Sequence, residues 1–210
     1  MIIFYVDFIW PLKINIKIKQ MKTVSTISKK QFIINTAADL FKEKGYSGTS
    51  IRDLASKVGL EPSSIYSHIK SKEELLSEIC MDCAGQFTEG IEKIFHLKIS
   101  ARKKLKALIS LHLDMAFTYP ASVTVFNDEW RHLPEPILVD FIHLRKEYEK
   151  KFRKILNEGK DDGKFNFENS EIVFNIIIKS LSWSYEAVKK YKREDLESEL
   201  SDFILNALNK

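Results

Sequence analysis

The chain has 210 residues, 44% of them apolar and 30% charged, with a net charge of +4. That length allows one large or two small domains with a substantial core. Two cysteines, Cys80 and Cys83, exclude a disulfide scaffold. The charge is uneven: residues 22–70 hold eight Lys or Arg against four Asp or Glu, whereas residues 71–210 hold twenty-two against twenty-four. The basic excess therefore lies in the first third of the chain, as a surface that neutralises phosphates requires.

The opening segment MIIFYVDFIW is apolar but short, contains Asp7 and has no basic lead, so it reads as neither a signal peptide nor a membrane span. Met21 precedes a polar run typical of a start before a first helix. Residues 1–21 are expected to be a disordered extension, with Met21 a candidate start. From there Ile33, Ala37, Leu40 and Phe41 make the inner face of a helix that stops at Gly45. Ser50 can cap a second helix, with Asp53 three residues on to reach back. Ile51, Leu54, Ala55 and Val58 form its apolar stripe, and Gly59 follows where a left-handed residue ends helices. Pro62 suits the first position of a third helix. Ile65 and Ile69 face inward on it, which leaves Ser63, Ser64, Ser67 and His68 mainly outside. Ser71 opens the next helix with Glu74 at the capping-box position. Three helices in about fifty residues, the third with an uncommitted polar face, predict a helix-turn-helix whose third helix enters a groove of duplex DNA.

At these residues the chain resembles the TetR/AcrR family of bacterial transcription regulators. The resemblance runs from Lys30 to Leu76 without gaps and includes Glu43 to Tyr46 (EKGY), Thr49 to Ile51, Val58 to Leu60, Tyr66, His68, and Ser71 to Glu73. It implies that the hydroxyl or backbone of Thr49 meets a phosphate, that the Tyr66 hydroxyl reaches the DNA backbone, and that Lys72 contacts phosphate. Ser50 and Arg52 belong to the same expected interface, and Ser63, Ser64, Ser67 and His68 take base-facing or backbone-facing places. Two residues depart from the family pattern. Glu61 stands where a capping Ser or Thr is usual, and Ile69 where Phe is usual. The reading helix carries no Arg, Asn or Gln, the side chains that make bidentate base contacts, so its operator is not legible.

Beyond Ser71 the periodicity stays helical. Helices are expected over about 71–95, 100–118, 121–132, 137–161, 169 or 170 to 191, and 194–208. The fold class is thus all-α: a helix-turn-helix domain at 22–72 and a ligand-binding and dimerisation domain at 73–210. Ile172, Val173, Ile176, Ile177, Leu181 and Val188 exceed one small face, and Leu196, Leu200, Phe203, Ile204 and Leu208 supply a second stripe. Two such helices from each of two chains would make a four-helix bundle, so a homodimer through about 170–208 is expected, as the resemblance also implies.

The remaining helices are expected to enclose an effector pocket, with Phe87, Phe117, Phe126, Trp130, Phe141, Phe174 and Trp183 as bulky candidates for its lining. A looser set resembles a branch of the same family that controls lipid breakdown and answers to acyl-coenzyme A thioesters. It comprises Trp130, Arg131, Leu133 and Pro134, then Arg145, Tyr148 and Phe152, then Gly159, Gly163 and Phe165. In that resemblance Arg131 and Arg145 are candidates for the anionic end of a ligand. The alternatives are a regulator of drug efflux that senses hydrophobic cations through Asp114, Asp128 or Glu129, and a helical scaffold with no operator.

No cofactor and no metal are expected. Cys80 and Cys83 lack the second pair that a zinc site needs, and Asp128 with His132 is an isolated spacing. An enzyme is not expected either, because the chain has no nucleophile elbow and no phosphate-binding loop. The expected protein is a cytoplasmic repressor that binds a palindromic operator and releases it when a small hydrophobic effector arrives, with no role at a membrane.

Overall fold

A computed structural model of the protein describes residues 28–209, and every regular element among them is helical. The expectation for residues 1–21 lies outside the described residues. The first helix, α1 (Lys29–Lys44), starts where the Ser28 hydroxyl accepts the Gln31 N–H and ends at Gly45, which has a positive φ of 78°. Helix α2 (Ile51–Val58) carries the complete capping box of Ser50 and Asp53 and ends at Gly59 in the left-handed region, features that contribute about 1 kcal/mol at a helix start. Helix α3 (Pro62–Tyr66) is short and begins on Pro62. Helix α4 (Lys72–Phe95) is capped by Ser71. Then follow α5 (Ala101–Thr118), α6 (Pro120–Asp128), a 3-10 turn at Trp130–His132, α7 (Ile137–Asp161), α8 (Ser170–Ser182), α9 (Ser184–Ala187) and α10 (Arg193–Ala207).

One expected helix is two. The run predicted from 169 or 170 to 191 breaks at Trp183, and only four residues of α9 follow before the turn into α10. Helix α8 packs on α7 and α5, whereas α9 turns its buried Ser184 and Ala187 toward α5 and α6. Apolar spacing is blind to such a change of neighbour, so the sequence reads as continuous.

Two apolar cores meet along α4. One joins α1, α2 and α3 to the first half of α4 and continues into Val125, Leu133 and Phe141. The other joins the second half of α4 to α5, α7, α8 and α10. Each fully buried Ile, Leu or Phe in these cores contributes about 1.5–3 kcal/mol. The packing boundary therefore runs across α4 near Cys83 and Ala84, inside the span expected to belong wholly to the second domain.

Polar ties also cross helices. Lys104 on α5 pairs with Glu158 on α7 at 2.9 Å. Arg193 on α10 reaches Asp114 and Ser110 on α5, and it also pairs with Glu197 on its own helix.

At the end of α7, Gly163 is left-handed (φ 66°) and the N–H groups of Lys164 and Phe165 both bond the Gly159 carbonyl. This folds the Phe165 ring onto Gly159, so closely that a Cβ there would lie 2.1 Å from Phe165 Cδ2. Gly159→Ala should therefore cost roughly 1–3 kcal/mol by overpacking. Gly85, with nothing within 4 Å of its missing Cβ, should give about 0.5–1 kcal/mol of added stability on change to Ala. Urea unfolding of the two variants checks the opposite signs.

Candidate nucleic-acid interface and effector site

The reading helix is placed by Ile65 and Ile69, both buried, while Ser63, Tyr66 and Ser67 face outward. Tyr66 is 55% exposed and its hydroxyl is uncommitted among the described residues. Ser64 and His68 are half-buried. The Ser67 hydroxyl donates back to the Ser64 carbonyl at 2.7 Å, so its proton is already used. Glu61 occupies the N-cap of α3 without a side-chain cap bond. On α2, Arg52 is exposed and has no ion pair among the described residues. Ser50 is engaged in the cap, and hydrogen bonds from Ser50 and Lys44 hold the Asp53 carboxyl well below the usual carboxylate range.

Thr49 corrects one expectation, that its hydroxyl or backbone meets a phosphate, since its N–H donates to the Tyr46 carbonyl at 3.2 Å. The residue is only 4% exposed, and its hydroxyl donates to the carbonyls of Gly45 at 2.9 Å and Leu40 at 3.3 Å. The side chain is turned into the domain to satisfy the end of α1, and it is unavailable to a phosphate. Lys72 is also bound within the protein. Its ammonium donates to the carbonyls of Tyr46 and Thr49, both at 3.0 Å, and sits 4.3 Å from the centre of the Tyr46 ring. Three donors serve an ammonium, so two are spent on the turn between α1 and α2.

That turn is also held from the other end of the molecule. Glu129, at the end of α6, accepts the backbone N–H of Tyr46 at 3.1 Å. The His132 ring stacks on the Tyr46 ring at 5.3 Å, and Phe41 meets it edge-on at 5.2 Å. Burial, with the neighbouring Glu73 carboxylate, pushes the Tyr46 hydroxyl up to about 12. No sequence signal foretells a contact spanning 83 positions.

The aromatic candidates divide between the two cores. Phe87, Phe117 and Phe174 lie in or against the core of the second domain, whereas Trp130 and Phe141 belong with the core shared by the helix-turn-helix. Phe126 touches both: its ring lies 5.4 Å from Phe87 and 5.4 Å from Phe141. Trp183 corrects a second expectation. It is 40% exposed, edge-on to Tyr191, and outside the core. Arg131 and Arg145 are exposed over the Trp130 ring, at 4.6 and 5.4 Å, and Arg145 pairs with Glu149. They flank the outer face of the cluster and do not enter it.

At the centre, between α4, α5 and α7, the His112 and Tyr148 side chains meet at 2.8 Å against Phe87. Burial pushes the His112 imidazolium down to about 4 and the Tyr148 hydroxyl far up. The carboxylates expected for a cationic ligand are otherwise engaged: Asp114 by Arg193, Asp128 by the Tyr185 hydroxyl at 3.3 Å, and Glu129 by Tyr46. Cys80 and Cys83 are buried, and desolvation pushes the Cys80 thiol up to about 12 and Cys83 higher still, as in inert structural cysteines.

A profile described as "Bacterial regulatory proteins, tetR family" matches residues 33–79, and one described as "Tetracyclin repressor-like, C-terminal domain" matches residues 98–208, more than half of the chain. The chain belongs to the tetR family of bacterial regulatory proteins. It is a helix-turn-helix DNA-binding transcription regulator and not an enzyme. Among its relatives, the HTH-type transcriptional repressor KstR2 of Mycolicibacterium smegmatis is 28% identical over 166 residues, which is 79% of this chain and 80% of that protein. The solved structure of the ketosteroid transcriptional regulator KstR2 of Mycobacterium tuberculosis superposes with a TM-score of 0.80 at 21% identity, over 89% of this chain and 97% of that one. AibR, solved in complex with isovaleryl coenzyme A and operator DNA, superposes with a TM-score of 0.73 at 18% identity, over 83% of this chain and 96% of that one. No helix among the described residues of this tetR-family protein is long and apolar enough to cross a membrane.

Tyr66 and Lys72 should separate in experiment. Tyr66→Ala removes an exposed ring and should weaken DNA binding at an unchanged melting temperature. Lys72→Ala should weaken binding and also lower the melting temperature, because two carbonyls lose their donor, at about 1–3 kcal/mol. Differential scanning fluorimetry beside gel-shift titration checks both.

Proposed function

We propose that this protein is a ligand-responsive repressor that holds a palindromic operator as a homodimer and releases it when a small hydrophobic effector, of the acyl-coenzyme A class, enters the second domain. The observation that carries this reading is the span of α6. Its Phe126 lies in the aromatic cluster beside Phe87, and Glu129 just past its end holds the Tyr46 turn that leads into α2. A molecule that displaces Phe126 would move Glu129, and with it the turn in front of the helix-turn-helix. The mechanism is a two-state shift in which effector and DNA favour different arrangements, so each weakens the other's binding.

Repression is the role named for KstR2, and isovaleryl coenzyme A is named with AibR. Ser63, Ser64, Tyr66, Ser67, His68, Ser50, Arg52 and the third Lys72 donor make up the proposed DNA surface. Phe87, Phe117, Phe126 and Phe174 line the proposed effector site, with Trp130, Arg131 and Arg145 at its outer rim for the anionic end of the ligand. The dimer surface is supported by apolar side chains left uncovered on α8 and α10: Ile172 and Ile176 are each 58% exposed and Phe203 68%. Pairing through residues 170–208 would set two reading helices about 34–36 Å apart, one turn of DNA. The protein would act in the cytoplasm, where its operator is. A sensor of hydrophobic cations is disfavoured because Asp114, Asp128 and Glu129 all have partners within the protein.

Footprinting the DNA upstream of the protein's own gene tests the reading. Protection of a palindrome is expected, weakening steeply with salt as several phosphates are neutralised and lost on adding an acyl-coenzyme A thioester but not a cationic dye. No protected site, or release by the dye alone, overturns it. Glu129→Ala should bind the same thioester with unchanged affinity yet fail to release DNA, and Glu129→Gln, which keeps the acceptor oxygen, should restore release. Calorimetry with the thioester and gel shifts with the protected fragment separate the two effects.

A further inference from the structure

We propose that the His112–Tyr148 pair is the polar station of the effector site and takes one neutral oxygen, a carbonyl or a hydroxyl, borne on the hydrocarbon part of the ligand. The inference rests on the ligand-responsive reading above and adds the chemistry that the site selects.

The two side chains come from different helices, α5 and α7, and meet at 2.8 Å between Nε2 of His112 and the Tyr148 hydroxyl. Phe87 of α4 closes one side, with ring centres 4.8 Å from His112 and 6.1 Å from Tyr148, and Phe126 of α6 lies 5.4 Å beyond Phe87. Three helices thus meet at one polar pair, with Phe126 of α6 one ring further out. The apolar cluster that includes Tyr148 also includes Leu108, Ile109, Leu111 and Phe152, none of which carries a polar side-chain group.

Two polar groups placed there lose their hydration, a cost that one mutual hydrogen bond only partly offsets. The pair has capacity left over. The second ring nitrogen of His112 has no hydrogen-bond partner among the described residues. His112 sits deep enough for burial to pull its imidazolium pKa down, yet part of its surface stays uncovered, as do parts of Phe117 and Phe126. The pair is therefore not sealed from the surface.

The chemistry of the pair sets the ligand class. The imidazole is neutral at ordinary pH, so it holds no charge to balance an anion or a cation. A neutral imidazole offers one N–H and one lone pair, and the Tyr148 hydroxyl can turn to use either. Together they can donate to a carbonyl oxygen, or donate and accept with a hydroxyl. A bare hydrocarbon would leave the spare nitrogen unpaired, a penalty that discriminates strongly in buried sites. The anionic end of a thioester would stay at the rim, by Arg131 and Arg145.

Calorimetry on the full-length protein with octanoyl-coenzyme A, its 3-hydroxy and 8-hydroxy counterparts, and progesterone tests the proposal. The last probe carries the same oxygen chemistry on a ring skeleton. Wild-type protein should bind a probe with an oxygen on its hydrocarbon part at least about tenfold more tightly than octanoyl-coenzyme A, whose acyl chain carries no oxygen beyond the thioester carbonyl, and which probe wins names the skeleton. Tyr148→Phe should abolish that preference while affinity for octanoyl-coenzyme A stays within about twofold, a pattern that loss of a merely structural bond would not produce. His112→Gln, which keeps a donor and an acceptor, should retain part of the preference, and it covers the case in which Tyr148→Phe folds poorly. Equal binding of octanoyl-coenzyme A and the oxygenated probes by wild-type protein, or a preference unchanged in Tyr148→Phe, overturns the inference and leaves the repressor reading standing. Binding of none of the four probes overturns both.

Discussion

The Tyr46 turn is the joint on which the rest of the molecule depends. Its backbone N–H is held by Glu129, its carbonyl by Lys72, and its ring lies between Phe41 and His132. The residues involved come from α1, the start of α4, the end of α6 and the 3-10 turn that follows it. A turn with so many obligations has little freedom, because each backbone group left unpaired in a buried site would cost about 1–3 kcal/mol. The turn leads through Thr49, itself pinned to the end of α1, into the Ser50 cap of α2. The orientation of the helix-turn-helix is therefore set by contacts made outside it as well as within it.

The continuity of the first core enforces the same coupling. Val125, Leu133 and Phe141 belong by sequence to the second domain but are buried with Ile33, Phe41 and Leu76. Close-packed interiors deform poorly, so the end of α6 and the start of α7 move with the DNA domain. Phe126 is the exception that bridges both cores. A single aromatic ring shared by two packed clusters is a natural place for an effector to act, since displacing it disturbs both at once.

Most of the helix-turn-helix was legible from local signals. The Ser50–Asp53 capping box, Gly59 in the left-handed region, Pro62 at the first position of α3 and the Ser71 cap all stand where the residues indicated. Each depends on a few adjacent positions, which is why spacing suffices. The roles of Thr49 and Lys72 were less legible, because a hydroxyl or an ammonium can serve DNA or the domain equally well. Only the fold shows that the Leu40, Gly45, Tyr46 and Thr49 carbonyls engage these side chains within the domain. The same holds for Trp183, whose bulk suggested a pocket wall until the break after α8 turned it outward.

The sequence by itself determined the all-helical fold, the three-helix reading module and the ends of most helices, since these follow from periodicity, caps and short-range spacing. Tertiary structure alone decided which side chains meet. It joined Glu129 to Tyr46 across 83 positions and His112 to Tyr148 across 36, and it paired Asp114 with Arg193 so that it no longer offers a free carboxylate. The physical reason is that helix periodicity says which face of a helix is buried but not which neighbour covers it. The chemistry of a site made from four helices is fixed only when their faces are brought together.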